Sequence, residues 1–298
     1  MQDLNDMMVF LAVVETGSFT LAAERLAMPK ANISRKVTKL ETTLGVTLLE
    51  RTTRRQKLTE AGRQYITHCK RIYDEAELAK SVVDNARNSI SGSIKLGCSV
   101  SIGQEILKPS IATFLAQFPE VSLQLNLTNQ RVDLIEGGFD MLIRIGKLED
   151  SSLIAKKLGC ATRGLYASPE YIAALATKPS LDNLSQLDWL VMSNSVSAQG
   201  ITLFNEEQKR AISFDAKLIA DDFSVVKQAT IDGLGVTALP NYMCQDQLAA
   251  GELIKVLPNW QLTPSNMYAL YAKNRTNLPK IKALLDFLDA VFNQKLAC

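Results

Sequence analysis

Cationic side chains that could bind a polyanion are concentrated in one short segment of this sequence. From Arg25 to Lys57 there are nine Lys and Arg residues and only two Glu residues, an excess of seven positive charges. The whole 298-residue chain has a formal net charge of only +2. A basic segment joined to a nearly neutral remainder is typical of a nucleic-acid-binding module attached to another domain. Charge alone equally allows a solvated surface rich in lysine and arginine.

Residues that could support enzyme chemistry are few. His68 is the only histidine, which excludes a multi-histidine metal site and leaves little basis for a Ser-His-Asp triad. The sequence contains no G-x-S-x-G elbow, no P-loop and no complete G-x-G-x-x-G motif. An α/β enzyme therefore stays only as an alternative, and we predict no cofactor and no metal.

The cysteines are too far apart to form a zinc ribbon or a C-x-x-C motif. They lie at positions 69, 98, 160, 244 and 298. An odd number in a chain without a secretory signal predicts free thiols. A thiol sensor at Cys98 or Cys160 is one hypothesis, and buried structural cysteine is the alternative.

Composition predicts a folded protein that stays in the cytoplasm. Apolar residues make up 47% of the chain and charged residues 21%, as in ordinary globular domains. The N-terminus carries Asp3 and Asp6 and lacks the basic and then apolar order of a secretory signal. No apolar run approaches the roughly 18 residues that span a bilayer, so no membrane partner is predicted.

The elements that must position the basic side chains are three helices followed by a hairpin. Apolar residues recur at helical spacing over 4–15, and Ser18 is a suitable N-cap for a second, alanine-rich helix over 19–27. A third helix is predicted over 29–44, with Pro29 at its first position. Two short helices joined by a tight turn, the second one basic on its outer face, form a helix-turn-helix pattern.

Polar side chains on the outer face of the third helix have the chemistry that base recognition requires. Arginine can bind guanine bidentately, and asparagine can bind adenine. The side chains of suitable type are Asn32, Ser34 and Arg35. The segment 46–58 predicts a β-hairpin, a wing whose tip would lie on phosphates or in the minor groove. That tip carries Arg51, Arg54 and Arg55.

The segment after Thr59 predicts one long helix that ends near Ile90. Its apolar positions step by four and three residues, which is a heptad seam. These positions are Tyr65, Cys69, Ile72, Ala76, Ala79, Val83, Ala86 and Ile90. The seam predicts a homodimer joined through this helix, with packing on its own domain as the alternative. A dimer would place two recognition helices on one pseudo-palindromic duplex.

From residue 94 onward, strands and helices alternate, which predicts an α/β domain with a parallel sheet. The first strands are expected at 94–98, 121–127 and 139–146, with helices between them at 101–119 and 131–138. Later strands are expected at 164–167, 189–192, 217–220, 235–239 and 267–272. Later helices are expected after Ser168, at 224–232 and at 279–296.

Ligands of such sheets bind beyond the carboxyl ends of strands and at helix N-termini. This rule selects short polar side chains and exposed amides, which suit a small polar effector. They are Ser99, Ser101, Thr128, Asn129, Ile145, Gly146, Ser193, Asn194 and Asp221. Each one alone could equally be an ordinary loop or cap residue. The predicted site contains no evident pair of arginines for a dicarboxylate, which favours a small or partly apolar effector.

The sequence resembles the LysR-type transcriptional regulators over nearly its whole length. Between Gly17 and Gly62 the segments SFT-x-AA-x-x-L, ISR-x-V-x-x-LE-x-x-LG, LLERTTRR and LTEAG follow one another. FDMLIRIG, LYASPEYIA and DGLGVTALP resemble the effector domain of that family. The resemblance implies a fold of class α/β, with a winged helix-turn-helix over 1–59 and a dimerising linker helix over 60–90. The effector-binding domain over 91–298 would resemble the two-lobed type 2 periplasmic binding proteins.

The resemblance also implies where the two lobes divide. Lobe I would combine about 91–162 with 267–298, and lobe II would be about 163–266. The effector would bind between them. Ligand binding would shift the lobes, change the spacing of the DNA-binding pairs and so change the bend imposed on DNA.

DNA contacts follow by position from the resemblance, at the start of the second helix, along the third helix and on the wing. The residues are Ser18, Thr20, Lys30, Ala31, Asn32, Ser34, Arg35, Lys39, Arg51 and Arg54. The family more often opens its recognition helix with Ser-Gln-Pro, whereas Met28-Pro29-Lys30 stands here. The operator sequence therefore does not follow from the resemblance.

The implied partners are double-stranded DNA and further copies of the chain, often as a tetramer built from two dimers, with RNA polymerase as a further candidate. A small-molecule binding protein of the periplasmic type is the second alternative. It explains the C-terminal two thirds of the chain but not the basic N-terminal module.

Overall fold

The computed structural model describes residues 3–51, 56–85, 90–135, 137–146, 148, 152–193, 200–206 and 208–296. The chain forms two compact units. One contains residues 1–89 with 133–139 and 274–279, and the other contains the remainder. The basic N-terminal segment and the sheet of the α/β domain thus belong to separate units.

The first unit begins with three helices whose ends follow local signals. They are α1 (Leu4–Thr16), α2 (Phe19–Arg25) and α3 (Lys30–Leu44). The Ser18 hydroxyl accepts hydrogen bonds from the amides of Thr20 and Leu21 at 3.2 and 3.4 Å, which confirms the predicted N-cap. Helix α2 ends earlier than predicted because Ala27 is left-handed, with φ of 48°. Pro29 precedes α3 instead of occupying its first turn.

The three helices share one apolar core. Phe10 and Val13 of α1, Ala22 of α2 and Ile33 and Val37 of α3 have no exposed surface. The small side chain of Ala22 lets α2 approach its neighbours closely. In the described ranges, no single helix is both long and apolar enough to cross a membrane; only α1 and α2 taken together, sharply bent, have that length and composition.

A two-stranded wing and a long helix follow; the helix is described to Asn85, and Ile90, near which it was predicted to end, lies outside it. Strands β1 (Leu49–Arg51) and β2 (Gln56–Leu58) pair antiparallel, and α4 (Glu60–Asn85) begins after Thr59. The Thr59 hydroxyl accepts a hydrogen bond from the amide of Gly62 at 2.9 Å and so caps the start of α4. A Cβ on Gly62 would lie 2.2 Å from the carbonyl oxygen of Leu48. Glycine there lets the start of α4 lie directly against the hairpin.

The predicted heptad seam on α4 divides into two parts. Tyr65 packs against the core of the first unit, and Cys69 is fully buried in it. Ile72, Ala76 and Ala79 are exposed. Only the second part therefore presents a stripe that a partner helix could cover.

The second unit is built on one mixed sheet. Its strands are β3 (Gly92–Cys98), β4 (Val121–Leu127), β5 (Met141–Ile145), β6 (Leu153–Ala167), β7 (Trp189–Met192), β8 (Gly200–Phe204), β9 (Lys209–Ser213), β10 (Ala216–Ala220), β11 (Val236–Pro240), β12 (Ile254–Val256) and β13 (Gln261–Ala272). Its helices are α5 (Val100–Ile102), α6 (Ile111–Gln117), α7 (Pro169–Ala174), α8 (Phe223–Ile231), α9 (Gln245–Ala250) and α10 (Pro279–Lys295).

Two parallel groups of strands are joined by a pair of long antiparallel strands. The main order is β10-β7-β11-β6-β13-β5-β3-β4. Strand β3 pairs parallel with β4 and β5, and β7 pairs parallel with β10 and β11. Strand β13 joins the first group through β5, β6 joins the second through β11, and the two pair with each other. We call the group with β3, β4 and β5 lobe I, and the group with β7, β10 and β11 lobe II. The predicted α/β class is confirmed, although the sheet is mixed and not parallel throughout.

The helix predicted over 101–119 is broken. Helix α5 passes into a π-helical turn over Gly103–Leu107, and α6 starts afresh at Ile111. A Cβ on Gly103 would lie 2.2 Å from the Leu127 side chain, so the turn packs closely on the end of β4. Pro109 has no amide hydrogen with which to continue a helix.

The helix predicted over 131–138 was wrong. The described residues there form a turn in which the amide of Gly137 donates to the carbonyl of Asp133 at 3.1 Å. Gly138 is left-handed, with φ of 65°, and Phe139 closes the turn by donating to Leu134 at 2.9 Å. The double glycine stops the chain before a second helical turn can form.

Strands β8, β9 and β12 and most of β6 were not predicted. Strand β9 is exposed at four of its five positions, so its sequence lacks the apolar alternation that marks a strand. The first half of β6 is mostly half-buried and carries lysines. Long-range pairing with β13, and not local pattern, determines this strand.

Candidate DNA interface and effector cavity

The outer face of α3 carries the side chains predicted to meet DNA. Its inner positions, Ile33, Val37 and Leu40, are buried. On the outer side, Lys30, Ala31, Arg35 and Lys39 are exposed, and Asn32 and Ser34 are half-buried. The helix therefore presents a polar and cationic surface of the kind that enters a major groove.

Arg35 is oriented by its own helix. Its Nη2 donates a short hydrogen bond to Asn32 Oδ1, and its Nε donates to the carbonyl of Ala31 at 3.4 Å. The guanidinium stays exposed while its direction is restricted. A side chain held in this way loses less conformational freedom on binding a base edge.

Two lysines of α3 connect it to α1. Lys36 Nζ donates to Asp6 Oδ1 at 2.7 Å, and Lys39 Nζ lies 3.3 Å from Asp6 Oδ2 and 3.8 Å from Asp3 Oδ2. The Asp6 carboxylate is only 2% exposed, and its hydrogen bond raises the pKa of Lys36. Lys36 thus stabilises the packing of α3 on α1. Lys39 has 63% of its side chain exposed and can still contact a phosphate.

The remaining predicted contacts lie at the start of α2 and on the wing. The Ser18 hydroxyl is used as the cap, and Thr20 is exposed in the first turn. Arg51 ends strand β1. Arg54 lies outside the described residues.

Glu41 anchors the wing, a role that was not predicted from the sequence. Its Oε1 accepts hydrogen bonds from the amides of Leu48 and Leu49 at 2.8 and 3.0 Å. Both leucines are buried, so the carboxylate fixes β1 against α3. The only local signal was its place in the segment LETTLG, which an isolated glutamate does not distinguish from a surface residue.

A cavity of about 330 Å³ lies between the two lobes. It is lined from lobe I, lobe II and the two long strands by Ser99, Ser101, Thr128, Asn129, Gln130, Ile143, Arg144, Ile145, Gly146, Ala161, Arg163, Met192, Phe223, Pro240, Tyr242 and Ser265. Six of the nine residues predicted to bind an effector are among them. Ser193 is described but does not line it, Asp221 lies next to it, and Asn194 is outside the described residues.

Three hydroxyl groups form a chain at this cavity. Tyr242 Oη donates to Ser101 Oγ at 3.2 Å, and the Ser101 and Ser99 hydroxyls lie 3.2 Å apart. Burial raises the pKa of Tyr242 to about 12, so the phenol remains a neutral donor at physiological pH. The chain joins lobe II to lobe I and offers hydroxyls that can both donate and accept.

Asn129 bridges the lobes beside the cavity. Its Oδ1 accepts the amide of Val100 at 3.2 Å, and its Nδ2 donates to the carbonyl of Asp221 at 2.8 Å and to Asp222 Oδ2 at 3.1 Å. The predicted Asp221 therefore acts through its backbone. Asn129 therefore makes hydrogen bonds to groups of both lobes.

An ion pair provides a further contact between the lobes. Lys227 Nζ of lobe II lies 3.0 Å from Glu105 Oε1 of lobe I, with side-chain exposures of 15% and 27%. Lys227 also donates to the carbonyl of Met243 at 3.1 Å. Because both side chains are largely buried, breaking this pair should lower the free energy of unfolding.

The cavity wall contains two arginines, which corrects the expectation that the site has no evident pair of arginines. Arg144 lies within β5 and donates to the carbonyl of Val132, and Arg163 lies within β6. Burial lowers the pKa of Arg163. The sequence rule selected neither arginine, because it selects residues that follow strands and not residues within them.

The cysteines do not form the predicted set of free thiols. Cys69, Cys98 and Cys244 are free and buried, whereas Cys160 is disulfide-bonded. Cys298 lies outside the described residues. Burial raises the pKa of Cys98 to about 12, which does not suit a thiolate sensor. Across the described ranges, no three His, Cys, Asp or Glu side chains are grouped to hold a metal.

Comparison with known proteins agrees with both parts of this architecture. Residues 4–63 match the family described as bacterial regulatory helix-turn-helix protein, lysR family, and residues 87–293 match the LysR substrate binding domain. An HTH-type transcriptional regulator of Xanthomonas campestris pv. campestris is 36% identical over 290 residues, which cover 96% of this chain and 84% of that protein.

Solved structures of two regulators match nearly the whole chain. The Vibrio cholerae virulence activator AphB is 29% identical, with a TM-score of 0.63 over 97% of this chain and 99% of that chain. CrgA from Neisseria meningitidis, a LysR-type transcriptional regulator, is 29% identical, with a TM-score of 0.64 over 97% of this chain and 98% of that one.

A winged helix-turn-helix and a two-lobed α/β domain in the same chain define the class of ligand-responsive transcriptional regulators. This chain belongs to the family of LysR-type transcriptional regulators. It is therefore a DNA-binding transcriptional regulator with an effector-binding domain, and not an enzyme.

Proposed function

We propose that this regulator recognises a pseudo-palindromic operator in double-stranded DNA through α3, with the start of α2 and the wing on phosphates. The observation that carries the proposal is the exposed Arg35 guanidinium, oriented by Asn32 on the outer face of the recognition helix. Lys30, Ser34 and Lys39 extend the same face. Thr20, Arg51 and Arg54 are proposed as phosphate contacts beside it.

The proposed assembly is a dimer through α4, which pairs further into a tetramer. The exposed stripe of Ile72, Ala76 and Ala79 supports the dimer, because burying an exposed apolar stripe against a second helix is favourable. The domain boundaries proposed with it are 1–59, 60–90 and 91–298. A regulator that must reach the chromosome works in the cytoplasm, where RNA polymerase is a further proposed partner.

The proposed effector site is the cavity between the lobes. The hydroxyl chain from Ser99 to Tyr242 and the Asn129 bridge support it, because a ligand there would contact groups that already join lobe I to lobe II. Binding would favour one relative position of the lobes and so alter the spacing of the DNA-binding modules.

The test is selection of duplexes from random DNA by the purified full-length chain. We expect enriched sequences to contain two inverted half-sites about one helical turn apart. The Arg35→Ala variant should fail to enrich the same half-sites. Arg25→Ala is the matched control, because Arg25 is exposed on α2 and paired with Glu15 at 2.7 Å. Enrichment of single, unpaired sites would contradict the dimeric arrangement.

A further inference from the structure

We propose that Arg35 and Asn32 act together to select guanine in the major groove, with Arg35 in contact with the base and Asn32 as its positioning residue. The proposal rests on the proposed function, in which α3 enters the major groove of the operator. By residue type alone, arginine could contact guanine and asparagine could separately contact adenine. The hydrogen bond between the two side chains decides between these roles.

The contacts of Arg35 within α3 determine which of its donors stay available. A guanidinium has five N–H donors in a fixed planar fork. Arg35 donates one Nη2 hydrogen to Asn32 Oδ1, and its Nε hydrogen points to the carbonyl of Ala31 at 3.4 Å. Three N–H groups, on Nη1 and Nη2, therefore remain for a base. Arg35 is exposed, so a duplex can reach these groups.

The same hydrogen bond limits what Asn32 can offer to a base. Asparagine reads adenine when its side-chain oxygen accepts from the N6 amino group and its side-chain nitrogen donates to N7. Asn32 Oδ1 already accepts from the guanidinium, and Asn32 is half-buried. An adenine amino group at this oxygen would also meet the remaining N–H groups of Arg35, which are donors as well. The pair therefore presents donors to the groove and disfavours adenine.

The rest of the outer face of α3 is rich in donors too. The segment from Lys30 to Leu40 contains no aspartate or glutamate. Glu41, the first carboxylate of α3, accepts hydrogen bonds from the amides of Leu48 and Leu49. Carboxylates are the side chains that accept from the amino group of cytosine, whereas guanine shows two neighbouring acceptors, O6 and N7. This surface therefore complements guanine better than the other bases.

The experiment measures binding of the full-length chain to synthetic duplexes that carry the half-site selected from random DNA. At each guanine of the half-site, one duplex contains 7-deazaguanine, which keeps base pairing but lacks the N7 acceptor. A second duplex contains inosine, which keeps O6 and N7 and lacks only the minor-groove amino group. We expect one position where 7-deazaguanine weakens binding about tenfold, because a hydrogen bond to a charged group is lost, and where inosine binds nearly as well as guanine.

Variants assign this contact to Arg35 and its orientation to Asn32. In Arg35→Ala, 7-deazaguanine at that position should change binding by less than about twofold, because the partner of N7 is already absent. Arg25→Ala is the matched control and should keep the full effect, because Arg25 is exposed and paired with Glu15 at 2.7 Å. Asn32→Ala should reduce the ratio of affinities for guanine and adenine at that position. Asn32→Asp keeps an acceptor for the guanidinium and should restore most of that ratio.

Each outcome has a defined meaning. A preference for adenine that both Asn32 variants abolish would make Asn32 an adenine reader and overturn the proposal. A 7-deazaguanine effect that persists in Arg35→Ala would place the guanine contact on another side chain and overturn it as well. A half-site without any such guanine position would refute the choice of base while leaving sequence-specific DNA binding intact. Failure of the wild-type chain to select any half-site would instead refute the proposed function, and this proposal with it.

Discussion

Arg35 combines the two properties that base recognition requires, which are exposure and a restricted direction. Asn32 lies three residues earlier on the same helix and restricts the Arg35 side chain by accepting a hydrogen bond from it. Lys36, one position further, has the same charge but donates to the buried Asp6 carboxylate. Neighbouring cations of one helix therefore have different roles, and charge counts alone do not separate them.

We predict that Arg35→Ala costs about 1–3 kcal/mol of binding free energy on the selected operator and clearly less on random DNA. The loss should be larger on the operator because there the guanidinium is expected to hydrogen-bond a base edge, in addition to the electrostatic attraction that it has for the phosphates of any duplex. Fluorescence anisotropy with both duplexes at one salt concentration measures it, with Arg25→Ala as control. Equal losses on the two duplexes would mean that Arg35 contacts only phosphates.

The buried thiols lead to a second prediction about individual residues. Burial raises the pKa values of Cys69, Cys98 and Cys244 to about 12, so these thiols stay protonated until the pH approaches that value. Iodoacetamide reacts with the thiolate. Native protein should therefore not be labelled at these positions, and raising the pH from about 7 to 9 should not change this. Peptide mass spectrometry before and after unfolding is the measurement; labelling of native Cys98 would revive the thiol-sensor hypothesis.

At the scale of elements, the wing depends on a side chain outside it. Glu41 of α3 accepts hydrogen bonds from the amides of Leu48, which directly precedes β1, and of Leu49, the first residue of β1. Glu41→Ala would leave two buried amides without this acceptor, so we expect a loss of about 1–3 kcal/mol in the free energy of unfolding. Chemical denaturation measures the loss, and Glu50→Ala, an exposed change within the wing, is the control. No difference between the two variants would show that Glu41 does not hold the hairpin.

The exposed part of α4 gives a prediction about assembly. Ala76→Arg places a charge in the stripe that a second α4 is proposed to cover, and should shift the chain from dimer or tetramer toward monomer. Glu75→Arg adds the same side chain one residue away, where the helix faces another direction. Light scattering during size-exclusion chromatography reports the mass. An unchanged mass for Ala76→Arg would favour the alternative that α4 packs only on its own domain.

Local signals in the sequence predicted the DNA-binding module well and the cleft only in part. Ser18, Thr59 and the apolar spacing of α1 and α3 act within a few residues, so their consequences can be derived from the sequence. The cavity arginines cannot be derived in the same way, because Arg163 reaches the cleft only through the pairing of β6 with distant strands. Polar residues after strands, such as Ser99 and Thr128, were found by a rule that the parallel part of the sheet obeys.

For the whole molecule, the contacts between the lobes are the groups through which the proposed effector would act on DNA binding. Lys227→Met removes the sheltered ion pair with Glu105 and should lower the free energy of unfolding by about 1–3 kcal/mol. Lys217→Met is the matched control, because its pair with Asp188 is half exposed and worth about 0.2–1 kcal/mol. Urea denaturation compares them. Equal losses would show that the Lys227 pair does not stabilise the contact between lobes.

The central claim is that the chain is a sequence-specific regulator whose recognition helix reads DNA through Arg35. The most direct test is genome-wide mapping of the DNA bound by the protein in its host, beside the Arg35→Ala and Arg25→Ala variants. We predict discrete peaks that share a pseudo-palindrome, are lost with Arg35→Ala and persist with Arg25→Ala. A binding profile that Arg35→Ala leaves unchanged would contradict the claim.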